Sequence, residues 1–82
     1  MIVAKVQVTL KNGILDPQGK TVHHALGNLG IADISDVRVG KYIQLKFDGL
    51  SVQQAQEQAE EACKKLLSNP VIEDYQIEMV EV

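Results

Sequence analysis

Apolar residues occupy every second position from Ile2 to Leu10, with Lys5, Gln7 and Thr9 between them. A period of two predicts a strand with one buried face. Asn12-Gly13 ends it in a turn. Asp16-Pro17 then opens a helix, because Asp accepts from first-turn amides and Pro suits the first helical position. Val22, Ala25, Leu26 and Leu29 recur as a one-sided stripe, and Gly30 supplies a left-handed cap. From Val37 to Phe47 the apolar positions keep one phase. That predicts a long strand bent at Gly40, with a hairpin at Gly40-Lys41 as the alternative. Ser51 and Gln54 form a capping box ahead of a helix over residues 52–68. Its inward positions are Val52, Ala55, Ala59, Ala62, Cys63 and Leu66, and Glu60–Lys64 and Glu61–Lys65 lie along the outer face. Asn69-Pro70 stops this helix, and Tyr75, Ile77 and Met79 alternate with polar residues in a last strand.

The order strand, helix, central strand or hairpin, helix, strand gives the fold class: α+β, a two-layer sandwich in β-α-β(-β)-α-β order. The expected sheet is antiparallel with both helices on one face, related to the ferredoxin-like arrangement. Residues 1–82 read as one domain, with no linker and no repeated motif. A chain of this length buries only about 60% of its unfolded surface, so pairing with a copy of itself or a larger protein is expected. Val3, Tyr42, Val80 and Val82 dot the second face of the sheet, where another sheet would make a dimer.

Composition narrows the function. Hydrophobic residues make up 45% of the chain, enough for a core, and with three aromatic residues that core must be aliphatic. The formal net charge is −3 and the eight basic residues are scattered, with Lys64-Lys65 the only adjacent pair. Nucleic acid needs a dense basic patch and an anionic membrane surface needs a basic amphipathic helix, so neither partner is expected. The first residues lack the basic-then-apolar pattern of a signal peptide, and Cys63 has no partner for a disulfide. A reduced, cytoplasmic setting is the simplest expectation.

The candidate chemistry is thin. His23 and His24 are adjacent on a helix and diverge by about 100°, so they do not chelate one ion and read better as rim histidines. Cys63 falls on the apolar helix face, as a small buried hydrophobe does. Glu57, Glu60 and Glu61 sit on a solvated face without the apolar pocket a general acid needs. The six glycines form neither a dinucleotide fingerprint nor a P-loop. Arg38-Val39-Gly40-Lys41 could hold an anion between two cations, or could be a polar strand with a bend. Asp16-Pro17 explains capping, but Gln18, Gly19 and Lys20 exceed what a cap requires. There a partner contact and a solvated first turn stay equally open.

Three segments carry a resemblance. "GILDPQGKTVHHALGNLG" at 13–30, "DVRVGKYIQL" at 36–45 and "LLSNPVIEDYQIE" at 66–78 are similar, in order and spacing, to the PurS family. The resemblance covers essentially the whole chain. It implies a non-catalytic accessory subunit of formylglycinamidine ribonucleotide synthase in purine biosynthesis. In that complex a glutaminase subunit, PurQ, releases ammonia, and a synthetase subunit, PurL, uses ATP and magnesium to form the amidine. The resemblance implies a homodimer bridging the two and helping ammonia pass, with a larger self-assembly left open and no cofactor bound by this chain. It marks Asp16, Pro17, Gln18, Gly19, Lys20, Arg38, Gly40, Lys41, Asn69, Pro70 and Glu73 as positions where partner or dimer contacts are expected. Asp16, Pro17, Asn69 and Pro70 among them could serve conformation alone. The rival reading is a small-molecule-binding regulatory domain with the same order of elements.

Overall fold

Residues 2–10 alternate in polarity and become β1 (Ile2–Leu10), the middle strand of a three-stranded sheet. The computed structural model describes all 82 residues. α1 (Pro17–Asn28), β2 (Lys41–Phe47), α2 (Val52–Ala62) and β3 (Glu73–Glu81) follow in order. β2 and β3 flank β1, both antiparallel, with Val6 opposite Ile43 on one side and Ile77 on the other. That register sends the even residues of β1 to one face. Ala4, Val6 and Val8 on that face are essentially inaccessible to solvent, while Gln7 and Thr9 on the other are exposed.

The core sits between that face and α2. Val6, Val8 and Cys63 form its centre, ringed by Ile43, Leu45, Leu67, Tyr75 and Ile77. Ala55 and Ala59 are fully buried, and their small side chains let α2 approach the sheet closely. Each Val-sized side chain buried here contributes roughly 1.5–3 kcal/mol. The capping box forms as expected: Ser51 Oγ accepts from the Gln54 amide, and Gln54 Oε1 accepts from the Ser51 amide.

Three features differ from the expectation. Past Ala62 the helix widens into a π turn, Cys63–Leu67, closed where the Ser68 amide and hydroxyl both donate to the Cys63 carbonyl. A π turn has more residues per turn than an α-helix, so the inward series runs Ala55, Ala59, Cys63, Leu67 at steps of four. Leu66, expected inward, is left 82% exposed. Residues 37–40 are not paired in the sheet, so there is neither a long bent strand nor a hairpin, and β2 begins at Lys41. Gly40 is required where β2 enters, because a Cβ there would run into the Val8 carbonyl of β1.

The third difference is the largest. Both helices were expected on one face of the sheet, yet only α2 packs on β1 and β3; α1 makes no comparable contact with any strand or with α2. Its sole buried residue is Gly19, and its stripe faces outward, with Leu29 75% exposed. The molecule is therefore long and thin, 49 × 28 × 14 Å, with a radius of gyration of 16.1 Å. About 12 Å is usual for a compact chain of this length. An amphipathic stripe records that one side of a helix avoids water; it carries no information on which surface will cover it.

Candidate functional site

The three motif segments are far apart in sequence and meet at one end of the sheet. Antiparallel pairing brings the last residues of β1 beside the first residues of β2 and of β3. The loop after β1, the segment before β2 and the turn before β3 consequently form one cluster.

Asp16 organises it. As the N-cap of α1, its Oδ1 accepts from the Gly19 amide at 2.9 Å. Its Oδ2 accepts from the Val39 amide at 2.8 Å. One carboxylate thus starts the helix and replaces a strand partner for the segment before β2. These two amides hold the carboxyl below its ordinary value, outweighing desolvation, and the nearby Arg38 charge adds to the lowering. Gly19 belongs to the same joint. A Cβ at this position would collide with the Val37 carbonyl oxygen and stand 2.8 Å from Asp16 Oδ2.

Arg38 serves its own chain. Its Nη2 donates to the carbonyls of Leu10 and Lys11, both at 3.0 Å, and Nη1 reaches Ile14 O at 3.4 Å. A guanidinium fork suits several carbonyls in a tight loop. Of the two readings of Arg-Val-Gly-Lys, an anion pocket is not what the geometry builds. Lys41 turns the other way and donates to the Leu67 carbonyl at 3.3 Å, where a cation complements a helix C-terminus. Asn69 Oδ1 accepts from the Val71 amide, its carbonyl accepts from Ile72 and Glu73, and Glu73 Oε1 accepts from the Asn69 amide at 2.7 Å. The Asn-Pro-Val-Ile-Glu stretch is a self-closed turn that aims β3 into the sheet.

Of the positions marked in the sequence, Asp16, Gly19, Arg38, Gly40, Lys41, Asn69 and Glu73 are thus committed within the chain. Pro17, Gln18 and Lys20 are exposed on the first turn of α1 and take no part with their side chains in those bonds. Pro70 is exposed in the turn after Asn69.

Two contacts escaped the sequence reading, which gave Lys11 no role and read His23 only as a rim histidine. The Lys11 amide donates to Ile72 O at 2.8 Å and its Nζ pairs with Asp74 at 2.8 Å, joining the loop after β1 to β3. Only the register could have revealed this, since it extends the β1–β3 pairing by one residue. His23 Nε2 lies 2.6 Å from Ile34 O, tying α1 to the segment that follows it. A carbonyl only accepts, so this nitrogen carries the proton.

The remaining candidates are inert. Cys63 is fully buried, and burial, reinforced by the Glu60 charge, pushes its thiol above the ordinary value. That is the reverse of what a nucleophile needs. Glu61 pairs with Lys65 on the outer face of α2 and the π turn; Glu60–Lys64 does not close.

Residues 3–81 match the PurS family model, described as phosphoribosylformylglycinamidine (FGAM) synthase. The chain is 40% identical over 82 residues to phosphoribosylformylglycinamidine synthase subunit PurS of Methanocaldococcus jannaschii, covering 100% of this chain and 99% of that protein. It is 45% identical over 82 residues to the Bacillus subtilis subunit of that name, covering 100% and 96%. Among solved structures it resembles B. subtilis PurS with a TM-score of 0.88 at 44% identity, over 99% of this chain and 100% of that one. It also resembles a chain of the Thermotoga maritima PurLQS structure with a TM-score of 0.85 at 27% identity, over 98% and 99%.

Proposed function

The chain belongs to the PurS family, and from that premise we propose that it is the accessory subunit of phosphoribosylformylglycinamidine synthase in purine biosynthesis. In this reading it acts as a homodimer that joins the glutaminase subunit PurQ to the synthetase subunit PurL. It keeps the passage of ammonia between them closed to water. The observation that carries the reading is the likeness over almost the whole chain to PurS proteins, one of them within PurLQS.

The residue chemistry supports a connecting part. The Asp16 carboxylate is occupied by two amides, and the one thiol is buried. No three His, Cys, Asp or Glu side chains come together as a metal site. In this reading the larger subunits hold ATP and magnesium. No helix is long and apolar enough to cross a membrane. Ammonia protonated by water loses its nucleophilic lone pair, so an interface that excludes water serves the reaction without touching it. Pro17, Gln18 and Lys20 would contribute to such an interface.

Size-exclusion chromatography of the three purified subunits tests the assembly. This chain is expected to co-elute with PurL and PurQ as one particle. Elution of this chain alone under all conditions, with a metabolite raising its melting temperature, would favour the regulatory-domain reading instead.

A further inference from the structure

Gly27 is a glycine that its own chain does not need. Gly19 and Gly40 leave room for backbone carbonyls of the same chain, but a Cβ at Gly27 would meet nothing within 4 Å. Its φ is not positive, and it lies inside α1, where Ala would make the better helix. Glycine also serves where a second backbone comes close.

The surroundings indicate what comes close. Lys20, His24 and Gly27 stand at i, i+4 and i+7, so they share the face of α1 opposite Val22, Ala25 and Leu29. That face is one wall of a groove whose other wall is Ile31 and Ala32. The His23 Nε2 bond to Ile34 O, 2.6 Å long, ties this following segment back to the helix.

The groove presents donors. Its titratable lining is Lys20, His23 and His24, with no carboxylate, in a chain of net charge −3. Lys11, Lys41 and Lys65 each face a carboxylate of their own chain, and Lys20 does not. On α1 the side chains that bond within the chain are those of Thr21 and His23, which leaves Lys20 and His24 free. The carbonyls of Ala25, Leu26 and Gly27, which would give the helix end its negative character, accept from the amides of Leu29, Ile31 and Gly30.

We propose that this groove receives an acidic segment of one of the larger subunits, its backbone crossing Gly27 and its carboxylates meeting Lys20 and His24. Charge complementarity selects such an occupant. Lys20 and Gly27 lie about 10 Å apart along the helix axis, the reach of about three extended residues. An interface on the apolar stripe, on the opposite side of α1, leaves the groove free. This inference rests on the proposed function and names a surface through which the assembly would form.

Isothermal titration of the full chain into the mixed PurL and PurQ subunits tests it, with wild type, Gly27→Ala, Lys20→Glu and Lys46→Glu. Lys46 is exposed on β2, and its reversal changes the net charge as much as that of Lys20. Gly27→Ala should melt higher than wild type yet bind on the order of 10-fold more weakly, an opposition that a merely structural glycine does not produce. Lys20→Glu should also bind on the order of 10-fold more weakly or worse, and Lys46→Glu as wild type does. Unchanged affinity in Gly27→Ala and Lys20→Glu, or equal loss in Lys46→Glu, would overturn the assignment. Inorganic phosphate that raises the melting temperature of wild type but not of Lys20→Glu, with assembly unaffected, would make the groove a small-oxyanion site and overturn the protein occupant. Weakened self-association of Lys20→Glu in sedimentation equilibrium, with assembly unchanged, would give the groove to a second copy and overturn it likewise. A wild type that binds neither larger subunit would overturn the proposed function itself, a failure distinct from that of the groove.

Discussion

Replacing Gly19 with Ala should lower the melting temperature by about 12–24 °C. The added methyl would meet the Val37 carbonyl of the backbone and lie 2.8 Å from Asp16 Oδ2. The Val37 carbonyl is backbone and does not rotate away, and the Asp16 carboxylate is held by the Gly19 and Val39 amides, so an overpacking cost of about 3 kcal/mol is expected. A domain of this size shifts by about 4–8 °C per kcal/mol. Gly27 lies in the same helix, and a Cβ there meets nothing within 4 Å. Gly27→Ala should therefore stabilise by up to about 1 kcal/mol through helix propensity. Thermal unfolding of both variants checks the pair of opposite signs. A rise in melting temperature for Gly19→Ala would mean that the joint at the start of α1 is loose.

Acid should loosen the same joint through Asp16. Its carboxyl lies below the ordinary value of 3.8 because two amides stabilise the charged form. As pH falls, the unfolded chain takes up the proton before the folded chain does. The Asp16 contribution is therefore complete above about pH 4, shrinks as pH drops toward the lower folded value, and is gone below it. Asp16→Asn offers one oxygen to two amides and turns an NH2 toward the other. That variant should melt lower than wild type at neutral pH, and the gap should narrow in acid. Melting curves from neutral pH to about pH 2 test this. A gap that stays constant through the acid range would show that the Asp16 charge is not what joins Gly19 to Val39.

The sequence was informative wherever structure is set by neighbours along the chain. The alternation in β1 and the Ser51–Gln54 box are local patterns that became the expected elements, and the stripe after Ser51 became α2, although α2 ends at Ala62 rather than at residue 68 and leaves Val52 and Leu66 exposed. Gly30 has φ of 88°, its amide donates to the Gly27 carbonyl and the Ile31 amide donates to the Leu26 carbonyl, the left-handed cap that its place after Leu29 implied. Expectation failed where a distant group replaced a local one. Residues 37–40 keep strand phase, but the Asp16 side chain takes the place of a ladder partner at Val39. Arg38 and Lys41 looked like a pair; the loop carbonyls and the end of the π turn draw them apart. In sequence Gly19 reads as a partner contact or a solvated first turn, and its need appears only beside the Val37 carbonyl. Three-dimensional convergence also explains why these motif positions cluster: most of them build the end of the sheet from which α1 projects.

The decisive measurement is the rate of amidine formation by the isolated PurL and PurQ subunits, with glutamine or with ammonia as nitrogen source, before and after this chain is added. A connecting subunit should restore glutamine-driven turnover while leaving the ammonia-fed rate nearly unchanged, because it acts on delivery and not on the chemical step. If the chain changes neither rate, or raises both equally, it does not couple the two active sites and the account fails.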